Sequence, residues 1–99
     1  MRNIEPKLKL IADVVAADYG ISFLKMVKTQ RKFSFSRFTY AYLAKKMTSQ
    51  NRFEIGLLIK RSKHFVSDAQ RKVQTKIDWN GDFADKVNRL VVKIEGLVS

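Results

Sequence analysis

The stretch EIGLLIKRSKHFVSDAQRKV, running from Glu54 to Val73, decides how this chain is read. Its first part carries Ile55, Leu57, Leu58 and Ile59. Lys60, Arg61, Ser62, Lys63 and His64 then pass without an apolar residue. Apolar residues return as Val66, Ala69, Val73 and Ile77, spaced by three and four, the stripe of a helix with one buried face. Ser62 stands where an N-cap belongs, because its hydroxyl can accept a backbone N–H of the first turn. The stretch therefore predicts a short helix to about Ile59, a basic elbow, and a longer helix opened by Ser62. Two uses fit that outline. One is an ordinary amphipathic pair whose charges solvate one face. The other is a helix-turn-helix whose second helix enters a DNA groove.

Working outward, helical spacing persists almost throughout. Downstream, Asn80-Gly81 interrupts the pattern, and a sixth helix is expected from near Asp82, with Phe83, Val87, Leu90, Val91, Ile94 and Val98 on its apolar face. Asp82 and Asp85 lie in its first turn, where acids suit the helix dipole. Upstream, Asn51 followed three residues later by Glu54 is a capping-box-like start for the fourth helix. Tyr40, Leu43, Ala44 and Met47 mark a third. Before it, KTQRKFSFSR (Lys28–Arg37) shows no stripe and reads as an exposed basic loop. Ser22 can cap a short second helix containing Phe23, Leu24, Met26 and Val27. Ile4, Leu8, Ile11 and Val15 line a first helix that Gly20 can end. Tyr19 and Trp79 are expected to complete the core or its rim rather than to form a stacking platform. The predicted fold is all-α, with about six helices in a single domain spanning residues 1–99.

Composition narrows the function classes. The chain has 99 residues, 45% of them apolar, and no cysteine, so it offers neither a disulfide framework nor a thiolate metal site. No apolar run approaches the ~20 residues of a membrane span, and MRNIEPKLKLIADVV lacks the apolar stretch of a signal peptide. A cytoplasmic, nucleoid-associated protein is expected. Charge is the informative quantity. The net charge is +11, and from Lys25 to Lys76 fourteen basic residues face two acids, Glu54 and Asp68. The remainder holds six basic and seven acidic residues, so the whole excess sits in the middle of the chain. Such segregation raises self-repulsion without helping a merely soluble protein. It suits a polyanion, because neutralised phosphates release condensed counterions.

The elbow and the start of the fifth helix supply the candidate base readers: Arg61, Ser62, Lys63, His64 and Ser67, which face outward if Val66 and Ala69 face inward. Arg and Lys can donate to guanine O6 and N7, and Ser can donate or accept. In the basic loop, Arg31 and Lys32 are placed to reach an adjacent minor groove, whose negative potential draws cations. Lys28, Arg37, Lys45, Lys46, Lys60, Arg71 and Lys72 are candidates for the DNA backbone. The bland reading of the loop is a solvated segment whose Phe33 and Phe35 tuck into the core, and both readings can hold together. The aromatics between Phe33 and Tyr42 also resemble the stacking residues of single-strand binders, although such platforms usually lie on open sheets. His64 is the one histidine, and without cysteine a metal site would rest on carboxylates alone. No Gly-rich phosphate loop, nucleophile elbow or acid/base pair suggests an enzyme.

Several of these residues carry a family resemblance. IADVVAADYGIS, YLAKKMT, EIG at Glu54–Gly56 and the series Arg61, Val66, Ala69, Arg71-Lys72 follow one another as in the C-terminal DNA-binding domain of DnaA, the bacterial chromosomal replication initiator. The chain resembles that domain over about residues 10–90. The resemblance implies a Trp-repressor-like helical fold whose helix-turn-helix reads double-stranded DNA. It also implies a bacterial or phage source. The family opens its recognition helix with Gly-Gly-Arg-Asp-His-Ser/Thr-Thr-Val. Here Lys60-Arg61-Ser62-Lys63-His64-Phe65-Val66 is one residue shorter. Keeping the buried stripe in register makes Arg61 the signature arginine and puts Ser62 in place of Asp, Lys63 in place of His, and His64 and Phe65 in place of hydroxyl residues. A gapless match would pair His64 with the family's His but misplace the stripe. The family's minor-groove arginine corresponds to Arg31. No Walker motif is present, so a free-standing copy has no nucleotide cofactor and cannot melt DNA by an ATP cycle. The expected role is regulation of transcription or of replication initiation on double-stranded DNA, with a protein partner in either process. The alternative is a protein-interaction module that kept the fold and lost sequence readout.

Overall fold

The described residues form helices, four of which begin where the sequence supplies a side-chain acceptor for an orphan backbone N–H. In a computed structural model describing residues 6–28 and 31–98, without the Lys32 side chain, these are α1 (Pro6–Asp18), α2 (Phe23–Val27), α3 (Ser34–Met47), α4 (Arg52–Leu58), α5 (Lys63–Trp79) and α6 (Gly81–Val98), with a 3-10 turn at Arg31–Phe33. Ser22 Oγ accepts from Lys25 N at 3.2 Å, Asn51 Oδ1 from Glu54 N at 2.8 Å, Ser62 Oγ from Phe65 N at 3.3 Å and Asn80 Oδ1 from Phe83 N at 3.0 Å. Each local cap of this kind is typically worth about 1 kcal/mol. Gly20, at φ +74°, ends α1: its N–H bonds Ala17 O and the Ile21 N–H bonds Ala16 O, the paired closure of a left-handed C-terminus.

The fold is all-helical, with no strand among the described residues. Helix α5 packs on α3, α4 and α6, while α1 packs on α3 and α6. The core draws Leu8, Ile11 and Val15 from α1, Met26 from α2, Tyr40 and Leu43 from α3, Ile55 from α4, Val66, Ala69 and Val73 from α5, and Phe83, Val87, Leu90 and Ile94 from α6. A Lys86–Asp18 ion pair at 3.1 Å, with the Lys86 ammonium 3.6 Å from the Tyr19 ring centroid, ties α6 to the end of α1. No helix among the described residues is long and apolar enough to cross a membrane.

Three expectations need correction. The exposed basic loop is short, because α3 already begins at Ser34. Its first turns present polar residues inward: Ser36, Arg37 and Thr39 are buried, so the apolar period that marks a helix is missing there. Ser36 Oγ donates to Phe33 O at 2.6 Å and Thr39 Oγ1 to Phe35 O at 2.8 Å, which settles those hydroxyls inside the helix. Trp79 is 87% exposed and Val98 44% exposed, so neither joins the core. Ile77 is half-buried at the edge of the α5 stripe. The proposed stripe position Ile4 lies outside the described residues.

Candidate nucleic-acid interface

The elbow is built from contacts that α4 makes after it stops. Lys60 turns the chain with φ +58°, the left-handed region that usually favours glycine. The Ile59 N–H bonds Gly56 O at 3.1 Å, and the Arg61 N–H bonds the same carbonyl at 2.9 Å. The chain thus folds back over Gly56, where a Cβ would lie 2.5 Å from Arg61 O and 3.0 Å from Ser62 O. Only a residue without a side chain admits so close an approach. The Tyr40 hydroxyl donates to Ile55 O at 2.8 Å, securing the middle of α4 to α3. Burial pushes the Tyr40 hydroxyl pKa up, so it stays a neutral donor.

With the turn held, the orientation of α5 follows from its stripe. Val66, Ala69 and Val73 are fully buried, and Ser62, Lys63, His64 and Ser67 are exposed at the opening of the helix, as the spacing requires. Arg61 is half-buried, with its guanidinium carbon 5.7 Å from the Phe65 ring centroid. Phe65 in turn stacks on Phe38 of α3, centroids 5.1 Å apart. Lys60, Arg71 and Lys72 are exposed. Arg71 is paired with Asp68 at 2.9 Å, a surface pair weak enough to yield to a phosphate. The Lys72 ammonium lies 4.8 Å from the Phe38 ring centroid. Lys45 is half-buried and Lys46 exposed in the last turn of α3, at the opposite end of that helix from the basic loop.

The basic loop meets the elbow. Lys28 and Arg31 are exposed, while the Lys32 side chain lies outside the described residues. Phe23, Leu24, Val27 and Lys28 of the α2 segment face Leu58, Lys60 and Arg61 across an open groove of about 850 Å³. Lys28, Lys60 and Arg61 therefore rim one concavity, although 32 residues of sequence separate Lys28 from Lys60.

Arg37 is a correction. It is 3% exposed and does not face a DNA backbone. Its guanidinium donates to Met26 O at 3.1 Å, to Lys28 O, and to Ser34 Oγ at 3.1 Å, clamping the end of α2 onto the start of α3. Burial and then the nearby Arg61 charge lower its pKa. The Arg37 bond to Lys28 O ties the start of α3 to the residue that rims the groove with Lys60 and Arg61.

Beyond Lys72, the sequence reading left Lys76 unassigned and placed Trp79 at the core or its rim. Lys76 sits with its ammonium 4.2 Å from the Phe35 ring centroid and 4.8 Å from that of Phe83. Trp79 stands open at the end of the same helix. The signal for Lys76 was its four-residue spacing from Lys72 along α5. Chemically the surface offers guanidinium and ammonium donors, hydroxyls and one imidazole, a set suited to phosphate oxygens and base edges. No known protein family matches the chain, and no curated protein matches it.

Proposed function

We propose that the chain binds double-stranded DNA through a helix-turn-helix made of α4, the elbow and α5, as a regulator of transcription or of replication initiation. The observation that carries this reading is the juxtaposition at the elbow. A tight left-handed turn over Gly56 leads into a Ser62-capped helix whose exposed opening carries Lys63, His64 and Ser67. Beside it, Lys28, Lys60 and Arg61 rim one groove. Arg61, Ser62, Lys63, His64 and Ser67 face the major groove. Lys28, Lys60, Arg71 and Lys72 contact phosphates, and Arg31 with Lys32 reaches the neighbouring minor groove.

The proposed kinship is with the DnaA C-terminal DNA-binding domain, in a Trp-repressor-like arrangement. Support comes from register: Ser62 is the N-cap and Val66, Ala69 and Val73 are buried, which suits the match that makes Arg61 the signature arginine. Lys60 takes the left-handed turn where that family has glycine. Ser62, His64 and Phe65 replace the family's acid and hydroxyl readers, so we expect no strong preference for the initiator's usual box. Each lost bidentate contact removes about 1–3 kcal/mol of discrimination. Selection of bound sites from a random duplex library tests this. A recovered consensus unlike the initiator box is the expected result, and a preference above ~1000-fold for that box would overturn the residue matching.

A second reading, a protein-interaction module with this fold, draws on the exposed Leu24, which lines the elbow groove, and on the exposed Phe53 and Leu57 of α4. Failure to retain any duplex at low salt would favour it.

A further inference from the structure

The far end of α5 carries a second surface of different character. Phe35, Arg71, Lys72, Thr75, Lys76 and Trp79 line an open cleft of about 390 Å³. The lining is three cations, two aromatic rings and a hydroxyl, with no acid. Of the acids nearest in sequence, Asp78 accepts from Gln74 Nε2 at 3.0 Å, and Asp68 pairs with the cleft's own Arg71 at 2.9 Å in an exposed ion pair that a phosphate can replace. Trp79 is the chain's single tryptophan, and it is 87% exposed. From Lys63 to Trp79 the helix rises about 24 Å, so an indole at the far end lies well away from base edges read by the opening of α5. The ring therefore stands apart from the proposed major-groove contacts.

We propose that this cleft binds an unpaired nucleotide of single-stranded nucleic acid, its base stacked on Trp79 and its phosphates held by Arg71, Lys72 and Lys76. Cations along a groove with an open aromatic ring are the combination that tracks a single strand: charge holds the backbone, and any base has a face to stack. An acidic peptide would satisfy the cations but leave the indole without a planar partner. The site shares Arg71 and Lys72 with the duplex surface, yet it stands whether or not that surface reads duplex DNA.

Because Trp79 is the single tryptophan, intrinsic fluorescence reports this site alone. The protein is titrated with an oligodeoxythymidine of about ten nucleotides, with an abasic strand of equal length, and with poly-glutamate. The expected result is quenching by oligodeoxythymidine, with the abasic strand and poly-glutamate bound much more weakly. Because Trp79→Ala and Trp79→Phe carry no tryptophan, wild type and variants are compared by anisotropy of a labelled oligodeoxythymidine. Trp79→Ala should lower that affinity about 5- to 150-fold, the range for losing one base–aromatic stack. Trp79→Phe, which keeps a ring, should recover most of it. Duplex affinity, measured separately by anisotropy, should change less than about twofold in Trp79→Ala, whose helical content is checked by circular dichroism. Equal quenching by the abasic strand or poly-glutamate, unchanged oligodeoxythymidine affinity in Trp79→Ala, or no recovery in Trp79→Phe would each overturn the site. A chain that binds oligodeoxythymidine through Trp79 but ignores duplex DNA would overturn the duplex reading and leave this one standing.

Discussion

At the scale of the residue, two side chains near the elbow play roles that their charge conceals. Lys60 holds a left-handed φ of +58°, a conformation that costs a residue with a Cβ about 1–2 kcal/mol. Lys60→Gly removes that strain and gives back part of the gain as backbone entropy. The expected net effect is stabilisation by about 0.5–1 kcal/mol in urea melts, together with a small loss of nucleic-acid affinity from the missing cation. A destabilised Lys60→Gly would mean that the turn draws on its side chain. Arg37 is read from sequence as a phosphate contact because basic residues surround it. Its burial follows from α3 starting earlier than the apolar pattern announces, which points the guanidinium at the carbonyls of Met26 and Lys28. Arg37→Ala strands those acceptors and should cost about 2–3 kcal/mol of stability. Arg37→Lys should rescue it poorly, because an ammonium lacks the planar fork that spans three acceptors. Loss of DNA affinity in Arg37→Ala at unchanged stability would contradict this structural role.

At the scale of the element, the boundaries that rest on local hydrogen bonds were legible and those that rest on packing were not. Ser22, Asn51 and Ser62 each cap the helix expected of them, and Gly20 closes α1, because in each case a side chain or a free φ acts within a few residues. The opening of α3 was hidden, since its inward positions are Ser36, Arg37 and Thr39, and polar residues on a buried face erase the period. The exposure of Trp79 was hidden for a related reason. It depends on where α6 leaves α5 at Asn80-Gly81, and spacing along α5 does not contain that direction. The exposure of Ser62, Lys63, His64 and Ser67 was readable from the buried stripe alone, whereas the half-burial of Arg61 against Phe65 was not. The meeting of Lys28 with Lys60 and Arg61 is tertiary and was not. Arg61 tests the element as a unit. It precedes the cap of α5, where a planar donor can reach a base edge. Arg61→Ala should cost about 1–3 kcal/mol and mainly relax preference at one position of a selected site. Equal weakening on selected and scrambled duplexes would make the elbow a phosphate clamp and move base readout elsewhere on α5.

At the scale of the whole molecule, charge is segregated along the chain, and the fold gathers part of it on one side of α5 and the loop beside it. Between Lys25 and Lys76 the two acids are Glu54, which is buried, and Asp68, which is paired with Arg71. Lys45 and Lys46 sit at the far end of α3 from the basic loop, so they can act only through the backbone of a bound duplex. Lys45→Ala with Lys46→Ala should weaken all sequences alike and make the salt response shallower, with helical content unchanged by circular dichroism. The central claim is that this surface exists for the phosphates of a duplex. It is tested most directly by a fluorescence-anisotropy titration of a labelled duplex over a series of salt concentrations. If about five phosphates are neutralised, the slope of log K against log salt should be about −4 to −5. A flat salt response, or no binding at low salt, would contradict it.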